Sequence, residues 1–112
     1  MARLSTHVLD TARGRPAAGV VVDLHEWRSG ARRHLKTFST DADGRVAGQA
    51  VNAGVYELIF HAGDYFRRAG LTLADPPFLD EVVIRFGIAD PAGHYHVPLL
   101  LAPYGYSTYR GS

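Results

Sequence analysis

Glu81-Val82-Val83-Ile84-Arg85-Phe86-Gly87-Ile88 and His94-Tyr95-His96-Val97-Pro98-Leu99-Leu100-Leu101-Ala102 are two strand-length runs, parted by Ala89-Asp90-Pro91-Ala92-Gly93. The first run sets Val82, Ile84, Phe86 and Ile88 on one face and Glu81, Val83, Arg85 and Gly87 on the other. That is the period-2 alternation of a half-buried strand, not the three-to-four spacing of a helix. The Asp-Pro-Ala-Gly cluster is a turn by composition, since proline fixes φ and glycine accepts what other residues resist.

Outward from this pair the same grammar repeats. Val55 to His61 alternates Tyr56, Leu58 and Phe60 against Val55, Glu57, Ile59 and His61. Leu4 to Asp10 sets Leu4, Thr6 and Val8 against Ser5, His7 and Leu9, and Arg13-Gly14-Arg15-Pro16 ends it. Val20 to Trp27 opens with β-branched residues, and Ser29-Gly30 turns the chain into a strand around His34 to Ser39. Asp41-Ala42-Asp43-Gly44 is a further turn, followed by a short strand at Arg45 to Val46. Asp64 is placed to N-cap one short helix over Tyr65 to Ala69, with Gly70 as its stop. A final strand runs from Tyr104 towards the C-terminus. Seven or eight strands with one short helix predict an all-β two-sheet sandwich, one domain over residues 1–112 with no repeat and no linker.

Bulk composition narrows the function classes. A chain of 112 residues and 12.2 kDa folds to roughly 6,000 Å² of surface from roughly 17,700 Å² unfolded, enough burial for a core without staples. It has no cysteine, so disulfides, thiolate metal sites and cysteine nucleophiles are excluded. Twelve basic and eleven acidic residues leave +1, with the signs interspersed. That balance predicts no nucleic-acid partner and no polybasic membrane anchor. Neither a secretory signal nor an apolar membrane span is legible, so the expected location is cytoplasmic.

Three features could carry chemistry. His94 and His96, two apart on a strand, project from the same face, and His7 is a third strand histidine. Their spacing alone fits a solvent-facing strand surface, an open zinc site of His7, His94 and His96, or metal-free acid/base work. Asp41-Ala42-Asp43-Gly44 starts like a calcium loop but lacks the later bidentate glutamate, so it reads as a turn. The ending Tyr104-Gly105-Tyr106-Ser107-Thr108-Tyr109-Arg110-Gly111-Ser112 is rich in tyrosine where most chains fray; by pattern it is an edge strand suited to subunit pairing.

Over nearly its whole length the chain resembles the transthyretin-related family. The resemblance rests on Leu4-Ser5-Thr6-His7-Val8-Leu9-Asp10, on Asp43-Gly44-Arg45, on His94-Tyr95-His96-Val97-Pro98-Leu99-Leu100-Leu101, and on Pro103 to Ser112. It implies a transthyretin-like sandwich whose first, fourth, seventh and eighth strands share a sheet, carrying His7, Arg45, His96 and Tyr109 to Ser112 respectively. The enzymatic branch, marked by a terminal Tyr-Arg-Gly-Ser, opens the cyclic amide of 5-hydroxyisourate in urate breakdown, without a cofactor. The resemblance thus implies His7, Arg45, His96 and Ser112 as catalytic residues, and His7, Arg45 and Tyr109 as substrate contacts. Ser112 would offer a hydroxyl and the terminal carboxylate, and His94 would be peripheral. It further implies a homotetramer, a dimer of dimers, with sites in the channel between them. A zinc-dependent hydrolase using His7, His94 and His96 and a carrier of small ligands are the alternatives.

Overall fold

The pairing of β1 (Ala2–Asp10) with β8 (His94–Ala102) sets the plan of the molecule. The two strands run parallel from Arg3 opposite His94 to Asp10 opposite Leu101. A parallel pair cannot be joined by a tight turn, and here the whole second sheet is built in the intervening chain. The structure, a computed structural model, describes residues 1–112. The other edge of β1 carries β5 (Arg45–Val51) along Ala2 to His7 and a two-residue strand, β2 (Arg15–Pro16), at Leu9 and Asp10. On the far side of β8 lies β9 (Gly105–Thr108). The second sheet is antiparallel throughout, in the order β4 (Ala31–Ser39), β3 (Val21–Arg28), β6 (Gly54–His61), β7 (Glu81–Ile88). The expected two-sheet sandwich is therefore observed, with eight strands of four residues or more and the short β2.

Between the sheets lies one cluster of 20 buried residues, including Val8, Val22, Leu24, Leu58, Phe60, Phe66, Leu99 and Leu101. Phe60 and Phe66 have no exposed surface, and each such side chain stabilises the fold by about 1.5–3 kcal/mol. The alternation read from β1 holds: Ala2, Leu4, Thr6, Val8 and Asp10 point inward, and Ser5, His7 and Leu9 lie on the outer face. The two polar members are satisfied, Thr6 by donating to the Val97 carbonyl at 2.6 Å and Asp10 by Arg13 and Tyr65.

Four boundaries differ from the sequence reading, each for a physical reason. The helix, α1 (Ala62–Arg68), starts with His61 at the N-cap and no side-chain cap. The Gly63 N–H donates to the Asp80 carbonyl at 3.0 Å, so Asp64 is free to sit in the first turn, where its charge suits the helix dipole. Gly70, at φ +88°, closes the helix as expected: its N–H reaches the Arg67 carbonyl, and that of Leu71 reaches Phe66, a Schellman motif. β4 begins at Ala31, directly after Ser29 and Gly30, whose φ values of 53° and 75° make the tight hairpin turn that matches strand twist. β5 extends to Val51 through Ala47-Gly48-Gln49-Ala50, poor strand formers held by pairing to β1 rather than by propensity.

The fourth difference lies at the C-terminus. β9 stops at Thr108, and the chain rejoins β8 only at a single bridge between His96 and Gly111. Arg110 holds this path, stacking its guanidinium 4.2 Å from the Tyr95 ring and donating to the His94 carbonyl at 3.1 Å. No helix is long and apolar enough to cross a membrane.

Candidate active site

The outer face of the β1–β5–β8 sheet collects the residues with chemistry, and the Asp41–Gly44 turn sets the first of them. Asp41 Oδ1 accepts the N–H groups of Asp43 and Arg45, both at 2.9 Å. Its carboxylate is thus engaged in the turn that the sequence predicts. Gly44 takes φ +76°, and a Cβ there would collide with the Val8 carbonyl oxygen. Only glycine lets the turn lie this close to β1. Arg45 is consequently delivered directly opposite His7 in the β1–β5 register.

His7 Nε2 lies 2.9 Å from the Asp43 carbonyl. A carbonyl only accepts, so Nε2 carries the proton and the lone pair of neutral His7 is on Nδ1. His96 is held differently. It lies opposite Ser5 in the parallel β1–β8 register, with its Nδ1 2.8 Å from Ser5 Oγ. The Gly111 N–H donates to the His96 carbonyl at 2.8 Å, and the Gly111 backbone lies against the imidazole.

His96 titrates below an ordinary histidine. Partial burial is the largest cause, followed by the positive charge of Arg45 and by that of His7 whenever it is protonated. All three disfavour imidazolium. At neutral pH the ring is therefore a neutral base in a cationic setting.

An open depression of about 580 Å³ lies over this face, and Arg3, Ser5, Arg45, His94, His96 and Ser112 contribute to its lining. Three of the residues singled out from sequence, Arg45, His96 and Ser112, are brought together here, and exposed His94 joins them. His7 neighbours the depression without lining it. Tyr109 lies elsewhere: it is 60% exposed and lines a second groove with Phe86, Tyr95 and Arg110. The zinc arrangement is not formed, because no three His, Asp or Glu side chains make a metal-binding group. His94 is a further step along β8, opposite Arg3, while His96 is opposite Ser5.

Sequence reading missed Ser5 and Arg3. Ser5 was assigned to the outer face of its strand, but its pairing with His96 depends on a parallel register across 91 residues of chain. Arg3 crosses the β5 irregularity and donates to the Gly48 carbonyl at 3.2 Å; a Cβ at residue 48 would stand 3.1 Å from its guanidinium nitrogen.

Comparison with known proteins places these observations in a family. A model of the HIUase/Transthyretin family matches residues 4–111. The chain is 60% identical over 115 residues to 5-hydroxyisourate hydrolase 2 of Rhizobium meliloti (strain 1021), covering 98% of this chain and 96% of that one. The solved 5-hydroxyisourate hydrolase of Klebsiella pneumoniae superposes with a TM-score of 0.83 at 42% identity, over 100% of both chains. An (S)-allantoin synthase structure gives a TM-score of 0.90 at 41% identity; it covers 99% of this chain, which spans only 44% of that protein.

Proposed function

Because the chain belongs to the HIUase/transthyretin family, we propose that it hydrolyses the ring amide of 5-hydroxyisourate, the step its 60%-identical relative is named for. The observation that carries the reading is the meeting of His96, Arg45 and Ser112 at the wall of one open depression, with His96 disfavoured as a cation first by burial and then by Arg45.

The chemistry follows from what each group can hold or move. A water between His96 and the substrate carbonyl gives up a proton to the imidazole as its oxygen bonds to the carbonyl carbon. The developing oxyanion takes the fork of N–H donors on Arg45, whose charge is permanent. The ring C–N bond then breaks, and the leaving nitrogen takes the proton from His96. The products are a carboxylate and a ureido group, and the carboxylic proton passes to solvent. His7 places its own charge when protonated, or an Nδ1 lone pair when neutral, beside this site, with Nε2–H anchored on Asp43. Ser112 supplies a hydroxyl to the substrate rim. No metal or organic cofactor enters any of these steps.

A homotetramer, a dimer of dimers, belongs to the same proposal. β7 and β9 each form one unpaired edge of their sheets, and Val83, Tyr104, Tyr106 and Tyr109 are exposed apolar groups on or beside them. Unpaired edges of this kind invite pairing with another copy. Tyr109 is turned from the depression of its own chain, so as a substrate contact it would serve the site of a neighbouring subunit.

The test is to generate hydroxyisourate from urate in situ and follow its loss in the ultraviolet, in water enriched in oxygen-18. The protein accelerates the loss and delivers one solvent oxygen into the product carboxylate. A rate equal to that of buffer alone overturns the proposal.

A further inference from the structure

We propose that Ser5 is a positioning residue for this reaction: its hydroxyl fixes the tautomer and ring angle of His96, so that Nε2 faces the depression with a free lone pair. The inference rests on His96 being the base, and extends that reading to a residue that acts through the imidazole.

Two sides of the imidazole are occupied. Ser5 Oγ lies 2.8 Å from Nδ1. On the opposite side Gly111 leaves no spare room, since a Cβ there would stand 2.6 Å from Cδ2 and 3.2 Å from Cγ. The His96 carbonyl is tied to the Gly111 N–H at 2.8 Å, so the backbone beneath the ring is fixed as well. Nε2 makes no hydrogen bond within the protein, and His96 lines the depression.

Tautomer choice then decides whether that nitrogen can act. If Nδ1–H donates to Ser5 Oγ, the lone pair is on Nε2 and can take a proton from water. The same N–H persists after His96 becomes imidazolium, so the contact survives through the proton transfer. If Ser5 donated instead, the proton would sit on Nε2 and the base would be blocked.

A serine is also the right partner for a histidine that must be neutral before it acts. A carboxylate at this position would favour imidazolium through its charge. The hydroxyl orients the ring without opposing the desolvation and the Arg45 charge that keep it unprotonated. This differs from a triad, in which a buried acid stabilises the imidazolium that forms.

Two readouts on the full-length protein test the assignment together. The first is the imidazole nitrogen-15 spectrum, with the His96 signals identified by their loss in His96→Gln. Wild type is expected to show neutral His96 protonated on Nδ1 and bare on Nε2, and Ser5→Ala to move the proton to Nε2. The second is steady-state hydrolysis of hydroxyisourate. Ser5→Ala is expected to lower kcat by about tenfold or more with KM changed less than about threefold, since the hydroxyl acts on the base rather than on binding. Ser5→Thr, which keeps the hydroxyl, restores both. A wild-type proton on Nε2, or a change in either readout without the other, overturns the proposal. If the wild type does not turn over hydroxyisourate at all, the functional reading fails and takes the catalytic half of this inference with it. The spectrum still decides the Ser5–His96 contact by itself.

Discussion

Gly111 presses its backbone against the His96 imidazole so closely that a β-carbon on it would stand 2.6 Å from Cδ2. Real Cβ atoms do not approach so near, and the ring is held from the other side by Ser5. The glycine at this position is thus a steric requirement of the imidazole's placement, beyond any effect on chain flexibility.

Gly111→Ala should therefore act on catalysis more than on folding. The substitution moves either the imidazole or the Arg110–Ser112 segment, and hydrolysis should fall by about tenfold or more. The thermal midpoint should change little, because the strain falls on a single terminal bridge. Turnover measured beside a melting curve checks both parts.

If His96 is the base, the acid limb of the rate profile should report it. Its affinity for protons is lowered, first by burial and then by Arg45 and His7, so kcat/KM should fall only at a pH below the ordinary histidine range. Arg45→Gln removes one of the three causes. The limb of its residual activity should move to higher pH, though not fully to the unperturbed value, because burial remains. A limb that moves to lower pH would contradict the electrostatic account.

Stability carries a second, independent pH signature. Glu57 is buried between Arg32 at 2.6 Å and Arg85 at 3.1 Å, and Asp10 is buried against Arg13 and Tyr65. Burial alone would raise both carboxyls, but the hydrogen bonds and charges of their partners outweigh it and hold both below the ordinary range. A carboxyl whose folded value is depressed stabilises the fold at pH above its unfolded value, near 4. That stability is lost as pH falls through the folded value. Acid unfolding should therefore set in below about pH 4, and Glu57→Gln should remove about 1–3 kcal/mol at pH 7. Denaturant titration at pH 7 and pH 3 measures both.

Assembly should follow the free sheet edges. Light scattering should give roughly four times the monomer mass at micromolar concentration, an order-of-magnitude range for stable oligomers. A charge placed among the exposed tyrosines, as in Tyr106→Glu, should lower that mass. A fully active monomer would remove the shared-site role of Tyr109.

Most strands were legible because period-2 burial writes itself into the sequence: Glu81 to Ile88 and His94 to Ala102 begin and end where the alternation does. β5 was legible only at Arg45 and Val46, since Ala47-Gly48-Gln49-Ala50 has no strand propensity and is recruited by β1. Asp64 was read as a helix cap because its type suits one, but the carbonyl of Asp80 supplies the partner for Gly63 from a distant segment. Around the depression, Arg45, His96 and Ser112 could be named only through the family resemblance of the short segments that carry them. Ser5 could not, because its role depends on which residue a parallel strand brings opposite it, and no local pattern encodes that register.

The most direct measurement of the central claim compares wild type with His96→Gln on freshly generated hydroxyisourate, with circular dichroism to verify that both are folded. The account predicts rapid loss of substrate with wild type and a rate at least about a hundredfold lower with His96→Gln. Equal rates from the two folded proteins would contradict it.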